Sequence, residues 1–175
     1  MEHATDTTIE IRQMELADVA PTYELGQKLF TADRWPTLYR TWDEYEVVSL
    51  YANERSNCLV ADLDGTVVGF ALGSILEKRG EPWTYGYLLW LGVDPQQTRQ
   101  GLGQQLIDAL TVRFIAAGAR MMLVDTEADN HAAVALFHRV GFNNEQPHVY
   151  LSRNLTDHPE YLRLRDGSNR AVELP

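Results

Sequence analysis

The alternation of apolar and polar residues along the chain predicts a sheet that is interrupted by helices. Residues 8–12 alternate between isoleucines and charged residues, which is typical of a strand with one solvated face. In residues 16–30 the apolar positions recur every three or four residues, which predicts a helix with Pro21 tolerated in its first turn. The same spacing predicts a second helix within residues 38–50.

Two β-rich runs follow and are separated by a turn. Residues 57–62 and 66–75 flank the dipeptide Asp64-Gly65, a strong hairpin signal, so we expect two adjacent antiparallel strands. The apolar run 83–93 carries few charges, which indicates a strand at the centre of the sheet. Gly92 within that run predicts a bulge or a close approach of the backbone to another group.

The second half of the chain predicts a helix, a strand and a shorter helix. Apolar residues recur at helical spacing after Gly103, and Gly118 predicts the end of that helix. Residues 120–126 predict the next strand. Asn130 is then expected to cap a short helix that Gly141 closes.

The C-terminal part gives weaker signals. Val149-Tyr150-Leu151 predicts a last strand. Residues 158–175 contain prolines and an Asp-Gly pair and have no sustained period, so we expect a tail that frays or docks on a neighbour. The predicted organisation is therefore one mixed α/β domain, residues 1–155, followed by a tail, residues 156–175.

The most informative stretch is residues 91–103, in which a dense apolar strand passes through a turn marked by Pro95 into two glycines and a helix. Because Gly101 and Gly103 have no Cβ, a phosphate can approach the backbone closely, and the first N–H groups of the helix favour negative charge. A tight turn without a ligand is the alternative. A dinucleotide-binding motif is excluded because Leu106 stands where its third glycine would be, and no Gly-Lys-Ser/Thr of a P-loop follows.

Two blocks of residues resemble the GNAT superfamily of N-acyltransferases. Val93-x-Pro95 followed by Arg99-Gln100-Gly101-Leu102-Gly103 is similar to the family's acyl-CoA motif, Q/R-x-x-G-x-G/A. The block Asn130-x-x-Ala133-x-x-Leu136-Phe137-x-x-x-Gly141-Phe142 is similar to the family's N-x-x-A-x-x-L-Y-x-x-x-G-F. Two blocks in the right order, about 30 residues apart, are far more specific than either alone.

This resemblance implies one domain with a mixed, mostly antiparallel sheet, flanked by about four helices and splayed at a central strand to take acyl-CoA. It implies acetyl-CoA as co-substrate. In the family, backbone groups of this strand pair with pantetheine and an N–H faces the thioester oxygen, which places Leu91, Gly92 and Val93 at the site and gives Val93 a catalytic role. The other implied cofactor-binding residues are Thr98, Arg99, Gln100, Gly101, Leu102, Gly103, Gln104, Asn130, Ala133 and Phe137.

The chain departs from the family pattern at two positions. Thr98 replaces the first Gln or Arg of the acyl-CoA motif, although Arg99 beside it supplies a cation for a pyrophosphate. Phe137 replaces the family's frequent tyrosine, and a phenyl ring donates no proton. The thiolate then leaves unassisted, which an ordinary thiol pKa of about 8.5 permits. The alternative proton donors are three other tyrosines, Tyr85, Tyr87 and Tyr150.

Acyl transfer to an amine also needs a group that accepts the amine's proton. Strand parity puts Asp125 and Glu127 on one face at the end of a strand that flanks the implied cofactor cleft. Asp125 lies five residues before Asn130, where ribosomal-protein N-terminal acetyltransferases, one branch of the family, place a glutamate thought to act as base. Both acids are candidate catalytic bases, and the alternative is that they are solvated acids at a strand end.

In the resemblance, the two N-terminal helices cover the acceptor side of the cleft. The candidate residues for the substrate walls are five aromatics, Phe30, Trp35, Tyr39, Trp42 and Tyr45. For each of them, packing within the core is the interpretation that we prefer.

Composition narrows the function further. The chain has 175 residues, 45% hydrophobic and 23% charged, as in an ordinary globular domain, and no run approaches the ~18 apolar residues of a membrane span. A single cysteine and no Cys/His cluster predict neither an internal disulfide nor a metal site. The N-terminal residues show no secretory signal, so the cytoplasm is the predicted location.

The formal net charge of −10 bears on the partners. Such a surface repels nucleic-acid backbones and attracts cations, so a cationic amine is a more natural partner than DNA or RNA. Solubility is the simpler explanation of the same charge. No membrane partner is expected, and a homodimer is compatible with the sequence.

We therefore expect an N-acetyltransferase, an acyltransferase of the GNAT type, that moves an acetyl group from acetyl-CoA to a primary amine of a small molecule, peptide or protein. The amine is expected to attack directly within a ternary complex. The alternative is a catalytically weak acyl-CoA-binding protein that regulates a partner, and the missing tyrosine is the feature that favours it.

Overall fold

The computed structural model describes residues 8–31, 41–77, 80, 83–97 and 101–170, with the backbone alone for residues 167–170. Its contacts divide the chain into two compact units, residues 1–143 and 144–175. Within the described residues of the first unit, the strands and helices follow in the predicted order. The predicted domain limits, 1–155 and 156–175, stay a prediction.

A single open sheet lies at the centre of the first unit. Its strands in the described residues are β1 Ile9–Gln13, β2 Cys58–Leu63, β3 Thr66–Glu77, β4 Thr84–Val93 and β5 Ala119–Val124. They lie side by side in chain order. The first three neighbouring pairs are antiparallel and the pair β4–β5 is parallel, so the predicted mixed, mostly antiparallel sheet is confirmed.

The turn between β2 and β3 has the geometry that its sequence predicts. Asp64 and Gly65 both have positive φ, 51° and 84°, as the two central residues of a type I′ hairpin require. The N–H of Gly65 donates to Oδ1 of Asp62 at 2.6 Å, which fixes the turn from the strand side. This turn sets the register of the hairpin, in which Leu63 stands opposite Thr66.

The α-helices in the described part of the first unit are α1 Val19–Leu29, α2 Glu44–Asn53, α3 Leu102–Ala116 and α4 His131–Arg139. Their ends follow the expected chemistry. The carboxylate of Asp43 caps α2 by accepting from the N–H of Glu46 at 2.8 Å. Gly118 and Gly141, which follow α3 and α4, have φ of 87° and 100°, the left-handed conformation in which glycine ends a helix.

Each face of the sheet carries its own core cluster. On one face, α3 packs Leu106, Leu110 and Phe114, all essentially inaccessible to solvent, against residues of β2, β3 and β4. Full burial of one such side chain contributes about 1.5–3 kcal/mol to the free energy of unfolding, so this face anchors α3 on the sheet.

The other face carries an aromatic cluster beneath α1 and α2, made of Phe30, Trp42, Phe70 and Trp90. The ring centroids of its neighbouring pairs lie 5.0–6.2 Å apart, in the range of favourable ring contacts. For Phe30 and Trp42, two of the candidate substrate-wall residues, core packing is therefore the role that the structure supports. Tyr45 is 77% exposed, whereas Trp35 and Tyr39 lie outside the described residues.

An ion-pair cluster joins the start of α1 to the first two strands. The guanidinium of Arg12 donates to both carboxylate oxygens of Asp18 at 2.6 and 2.9 Å, and its Nε and Nη2 donate to Asp62 at 3.1 and 2.6 Å. The hydrogen bonds from Arg12 lower the pKa of Asp18, against an opposing effect of burial. The cluster holds the chain where it leaves β1 and enters α1.

The second unit differs from the prediction. Val149, Tyr150 and Leu151 are not in a strand, and residues 159–170, expected to be an irregular tail, form helix α5 Pro159–Arg170. Proline suits the first turn of a helix, because its missing N–H has no partner there. The absence of an apolar period misled the prediction, since a helix this exposed does not need one.

No helix among the described residues combines the length and the apolar character needed to cross a membrane.

Candidate active site

The pairing of β3 with β4 contains one extra residue on β4. Leu72 stands opposite Trp90 whereas Gly73 stands opposite Leu88, so Leu89 is the bulged residue. The alternation of faces shifts at this point, because Leu88 packs in the α3-face cluster and Trp90 packs in the aromatic cluster. The bulge therefore lies at Leu89, and it changes the face of the sheet to which the side chains after it point.

On its other side, β4 pairs with β5 over only part of its length. The parallel ladder runs from Thr84 beside Ala119 to Leu88 beside Val124, where β5 ends, while β4 continues to Val93. In an antiparallel pair, alternate peptide groups point away from the partner strand. Residues 89–93 therefore present backbone groups towards the gap that opens beyond β5.

The three strand residues that the resemblance places at the site lie along this gap. Leu91 and Val93 are half-buried and pack towards the α3-face cluster. Gly92 is buried, and a Cβ on it would lie 2.6 Å from the ring of Phe70 and 2.8 Å from Cδ1 of Leu29. The close approach predicted at Gly92 is thus with an aromatic ring of the core.

Helix α3 begins on a glycine at the edge of the same region. Gly101 is the N-cap with φ 71°, and a Cβ on it would have no atom within 4 Å. It has no side chain that could accept from the first-turn N–H groups, which the helix itself leaves without partners. A Cβ on Gly103 would lie 3.3 Å from Leu136 of α4 and 3.9 Å from Val93 of β4, so these elements meet at this glycine.

The remaining residues of the predicted acyl-CoA motif divide into two groups. Leu102 is buried in the core cluster and Gln104 is exposed on the first turn of α3. Thr98, Arg99 and Gln100 lie outside the described residues, so their predicted contacts stay predictions.

The second block supplies a capped helix and a core residue. The side-chain oxygen of Asn130 accepts from the N–H of Ala133 at 3.3 Å, and its Nδ2 donates to Thr126 at 3.0 Å, as predicted for the cap of α4. Phe137 is 8% exposed and packs edge-to-face on Phe142, with centroids 5.6 Å apart. The position of the family's tyrosine is therefore occupied by a core side chain with no proton to give.

A tyrosine and an acid meet where the β4–β5 ladder ends. The Tyr87 hydroxyl donates to Oδ1 of Asp125, the first residue after β5. Tyr87 stands beside Leu123 in the ladder, two residues before Asp125 in the chain. Tyr87, one of the three alternative donors, is thus in direct contact with a candidate base.

Glu127 lies differently from Asp125. Because β5 ends at Val124, strand parity does not extend to Glu127, which is half-buried in the turn before α4. Its carbonyl oxygen accepts from the N–H of Asn130 at 3.0 Å. No local feature of the sequence indicates the hydrogen bond between Tyr87 and Asp125, because finding it requires the register of the β4–β5 ladder.

The single cysteine of the chain, Cys58, lies in the core. Cys58 is completely buried, and burial, with a further contribution from Glu54, raises the pKa of its thiol to about 12. It is therefore a core residue, as predicted, and a poor nucleophile at neutral pH. No group of three or more His, Cys, Asp or Glu side chains in the described ranges is arranged to hold a metal ion.

Comparison with known families identifies the fold and its chemistry. The sequence model of the acetyltransferase (GNAT) family matches residues 28–142, which include every strand from β2 to β5 and both resemblance blocks. The chain belongs to the GNAT acetyltransferase family. As a GNAT acetyltransferase it is an acyltransferase enzyme, and the open gap beside β4 lies inside the matched region.

Solved structures of GNAT acetyltransferases share this architecture. One is the aminoglycoside N-acetyltransferase AAC(6')-Iy in complex with CoA, with a TM-score of 0.69 and 21% identity over 87% of this chain and 99% of that one. Another is an aminoglycoside acetyltransferase from an uncultured soil metagenomic sample in complex with sisomicin, with a TM-score of 0.66 and 20% identity over 84% and 96% of the chains.

A third similar structure is a ribosomal-protein-alanine N-acetyltransferase from Brucella melitensis biovar Abortus 2308, with a TM-score of 0.64 and 17% identity over 84% of this chain and 100% of that one. At these identities the likeness establishes the GNAT fold. These proteins act on acceptors as different as an aminoglycoside and a ribosomal protein, so the fold by itself selects no acceptor.

Proposed function

We propose that this GNAT acetyltransferase transfers an acetyl group from acetyl-CoA to a primary amine within a ternary complex. The observation that carries the proposal is the end of the β4–β5 ladder at Leu88, which leaves a gap lined by backbone groups of β4 next to the glycine-capped start of α3. A thioester and a pyrophosphate need these two features, an N–H donor for a developing oxyanion and an anion site.

The proposed acetyl-CoA site uses the residues that the two blocks indicate. The backbone of Leu91, Gly92 and Val93 is proposed to pair with pantetheine, with Val93 supplying the oxyanion donor. The anionic part of acetyl-CoA is proposed to bind between residues 98 and 104. Gly101 suits that role because no atom lies within 4 Å of the place where a side chain would start. Asn130, Ala133 and Phe137 are proposed to border the site from α4.

Asp125 is the proposed base, and Tyr87 is proposed to position it. The Tyr87 hydroxyl donates to Oδ1 of Asp125, and the carboxylate of Asp125 is proposed to accept the amine's proton, directly or through water. The amine nitrogen then forms a bond to the acetyl carbon while the carbon–sulfur bond breaks. The second proton lost by nitrogen balances the charge of the departing thiolate, which needs no strong acid because its pKa is about 8.5.

The acceptor is proposed to be cationic in solution. The formal net charge of −10 and the carboxylate of Asp125 at the end of the ladder favour an ammonium group over an anion. We further propose that the protein acts in the cytoplasm without a metal ion, nucleic acid or membrane partner, that residues 1–155 form its catalytic domain, and that it can pair as a homodimer.

Release of CoA thiol in the presence of a panel of amines tests the proposal. We expect amine-dependent thiol release above hydrolysis, together with an acetylated product of the expected mass. Binding of CoA without any amine-dependent release would favour the second candidate function, an acyl-CoA-binding regulator with weak catalysis, for which the buried Phe137 is the supporting observation.

Phe137→Tyr separates these two candidates. If the thiolate leaves unaided, the substitution should change turnover by well under the ~10²-fold lower limit of general acid catalysis. Val140→Ala, which alters another residue packed against the same core cluster, is the matched control for disturbed packing. A rise in turnover of about 10²-fold or more in Phe137→Tyr alone would support the weak-catalyst alternative.

A further inference from the structure

The face of the sheet opposite α3 carries a row of aromatic and apolar side chains beside Asp125. The register places Leu76 opposite Tyr85 on β4, and Tyr85 beside Met121 on β5; one step along, Tyr87 lies beside Leu123. Side chains at these alternate positions share one face. We call this set the tyrosine shelf; its residues are Leu76, Tyr85, Tyr87, Met121 and Leu123.

The tyrosine shelf is accessible to solvent. Neither core cluster of the described residues includes any of its five side chains. Met121 is 40% exposed, and the other four are half-buried. A partly accessible apolar face of this kind can bind an apolar group at a favourable free energy, whereas the side chains of the two core clusters are already buried.

Acidic groups lie at two edges of the shelf. Asp125 accepts from Tyr87 at the end where the ladder opens. On the β3 side, Ser74 stands opposite Tyr87, and its hydroxyl donates to Oε1 of Glu54 at 2.7 Å. An ammonium group at Asp125 therefore lies next to the ring of Tyr87, and the carboxylate of Glu54 adds a second negative charge on the β3 side of the shelf.

The length of the shelf along β4 limits the size of the group that it can bind. Tyr85 and Tyr87 are two residues apart on β4, so their Cα atoms are about 7 Å apart along the strand. The acetyl group is supplied from residues 89–93, on the other side of Asp125. When the amine of the acceptor is at Asp125, the rest of the acceptor therefore extends over Tyr87 and Tyr85, away from the acetyl group.

We propose that the tyrosine shelf binds the body of the acceptor, and that the acceptor is a primary amine on a short chain that ends in a flat apolar or aromatic group. This inference rests on the proposed acetyl transfer and on Asp125 as the base. Aromatic rings of the acceptor stack on or against tyrosine rings, which adds to the free energy gained by burying apolar surface. A polyhydroxylated amine gains little from such a face, because its hydroxyl groups lose water without finding partners there.

The test is a comparison of kcat/KM for thiol release among matched amines. Phenylethylamine and tryptamine represent the proposed class, propylamine is the aliphatic control, sisomicin is the polyhydroxylated amine, and a peptide that begins with phenylalanine represents a protein source of the same chemistry. We expect the arylalkylamines or the aromatic peptide to exceed propylamine and sisomicin at least tenfold, mainly through a lower KM. Which of the two aromatic arms is preferred identifies the source.

Two variants locate the effect on the shelf. Met121→Ala and Tyr85→Ala should raise KM for the preferred aromatic amine several-fold more than they raise KM for propylamine. Ile115→Ala is the matched control, because Ile115 is 65% exposed on α3, which packs on the opposite face of the sheet. Circular dichroism and the melting temperature check that each variant is folded.

Two results would overturn the inference and leave acetyl transfer standing. One is that propylamine or sisomicin is used as well as the aromatic amines. The other is that the two shelf variants behave like Ile115→Ala with an aromatic amine. If the protein binds CoA but releases no thiol with any amine, the proposed function itself is contradicted. The shelf would then not be an acceptor site.

Discussion

At the scale of single residues, the hydrogen bond from Tyr87 orients the carboxylate of the proposed base, Asp125. The hydroxyl donates to one carboxylate oxygen and so helps to fix the orientation of the carboxylate. Hydrogen bonds to charged groups contribute about 1.5–3 kcal/mol. Loss of this bond should therefore leave Asp125 present but poorly oriented.

The first prediction is a double-mutant cycle on this pair. Asp125→Asn should lower kcat/KM by about 10²-fold or more, with affinity for CoA unchanged, because the amide does not accept the amine's proton. Tyr87→Phe should lower kcat about tenfold or more, because a bond to a charged group contributes about 1.5–3 kcal/mol. The double variant should lose little more than Asp125→Asn, since the two residues act as a unit. Steady-state kinetics and CoA titration measure all three.

Glu127→Gln is the control for this cycle, because Glu127 is the other candidate base and lies in the turn before α4. Near-parental kinetics are expected for it. If Glu127→Gln loses activity and Asp125→Asn keeps it, the base is Glu127. A peptide α-amine has a pKa of about 7.7–8.0 against about 10.4 for an alkyl ammonium, so the loss in Asp125→Asn should be smaller with a peptide acceptor.

The second prediction concerns the ion pair between Arg12 and Asp18, in which hydrogen bonds from Arg12 lower the pKa of the aspartate. A carboxyl whose pKa is lower in the folded state stabilises the fold fully above its unfolded pKa of about 3.9. This stability is lost as the pH falls through the folded pKa, below 3.9. Asp18→Asn should cost about 2 kcal/mol at pH 7 and much less near pH 2, as measured by urea unfolding at both values.

A matched control for the ion pair is Asp108→Asn, a change to an exposed aspartate on α3. It should change the free energy of unfolding by no more than about 0.5 kcal/mol at either pH. Equal destabilisation of Asp18→Asn at pH 7 and pH 2 would show that the charge of Asp18 is not what stabilises the start of α1.

At the scale of elements, the bulge at Leu89 decides which side chains of β4 reach each face. Gly92 makes this arrangement possible, since its Cα faces the ring of Phe70 at a distance that admits no Cβ. The third prediction is that Gly92→Ala destabilises the fold by about 1–3 kcal/mol through overpacking. Thermal or urea unfolding measures the loss.

Gly103→Ala is the control for Gly92→Ala. Its new Cβ would meet only the flexible end of Leu136, at 3.3 Å, and Val93 at 3.9 Å. Its cost should therefore be clearly smaller. Equal costs at the two glycines would show that Phe70 and Leu29 move aside and that Gly92 is not required for packing.

The sequence predicts these elements well but not how they are joined. The Asp64-Gly65 turn, the caps at Asn130 and Gly141 and the apolar run of β4 are local signals, and each led to the correct element. The bulge at Leu89 arises from the register with β3, which no local feature of the β4 sequence indicates. Helix α5 was missed for the opposite reason, since an exposed helix lacks the apolar period on which the prediction depends.

The candidate site likewise combines residues that a contiguous motif indicates with contacts that depend on strand register. The glycine motif and the cap of α4 are contiguous in sequence, so their residues could be named from the sequence alone. The bond between Tyr87 and Asp125 depends instead on the parallel register of β4 and β5. Parity had suggested that Asp125 and Glu127 share a face, but β5 ends before either of them. Phe137 could be recognised as a departure from the family because it lies inside a continuous motif.

At the scale of the whole molecule, binding of acetyl-CoA should stabilise the fold. A ligand that binds only the folded state at 100 times its dissociation constant adds about 2.7 kcal/mol to the free energy of unfolding. The gap beside β4 and the start of α3 belong to one packed unit, so the ligand is expected to stabilise that unit as a whole. The fourth prediction is a rise in melting temperature with millimolar CoA that Gly101→Val abolishes.

The control for this prediction lies at the other end of the same helix. Gly118, like Gly101, has a left-handed φ, 87° against 71°, and a Cβ on either would meet no atom within 4 Å. Valine at either position therefore costs similar backbone strain, about 1–3 kcal/mol, in the protein without ligand. Only Gly101→Val brings a side chain to the proposed anion site, so Gly118→Val should melt lower but keep the full rise with CoA. An unchanged rise in Gly101→Val, or its loss in both variants, would contradict binding of CoA at the start of α3.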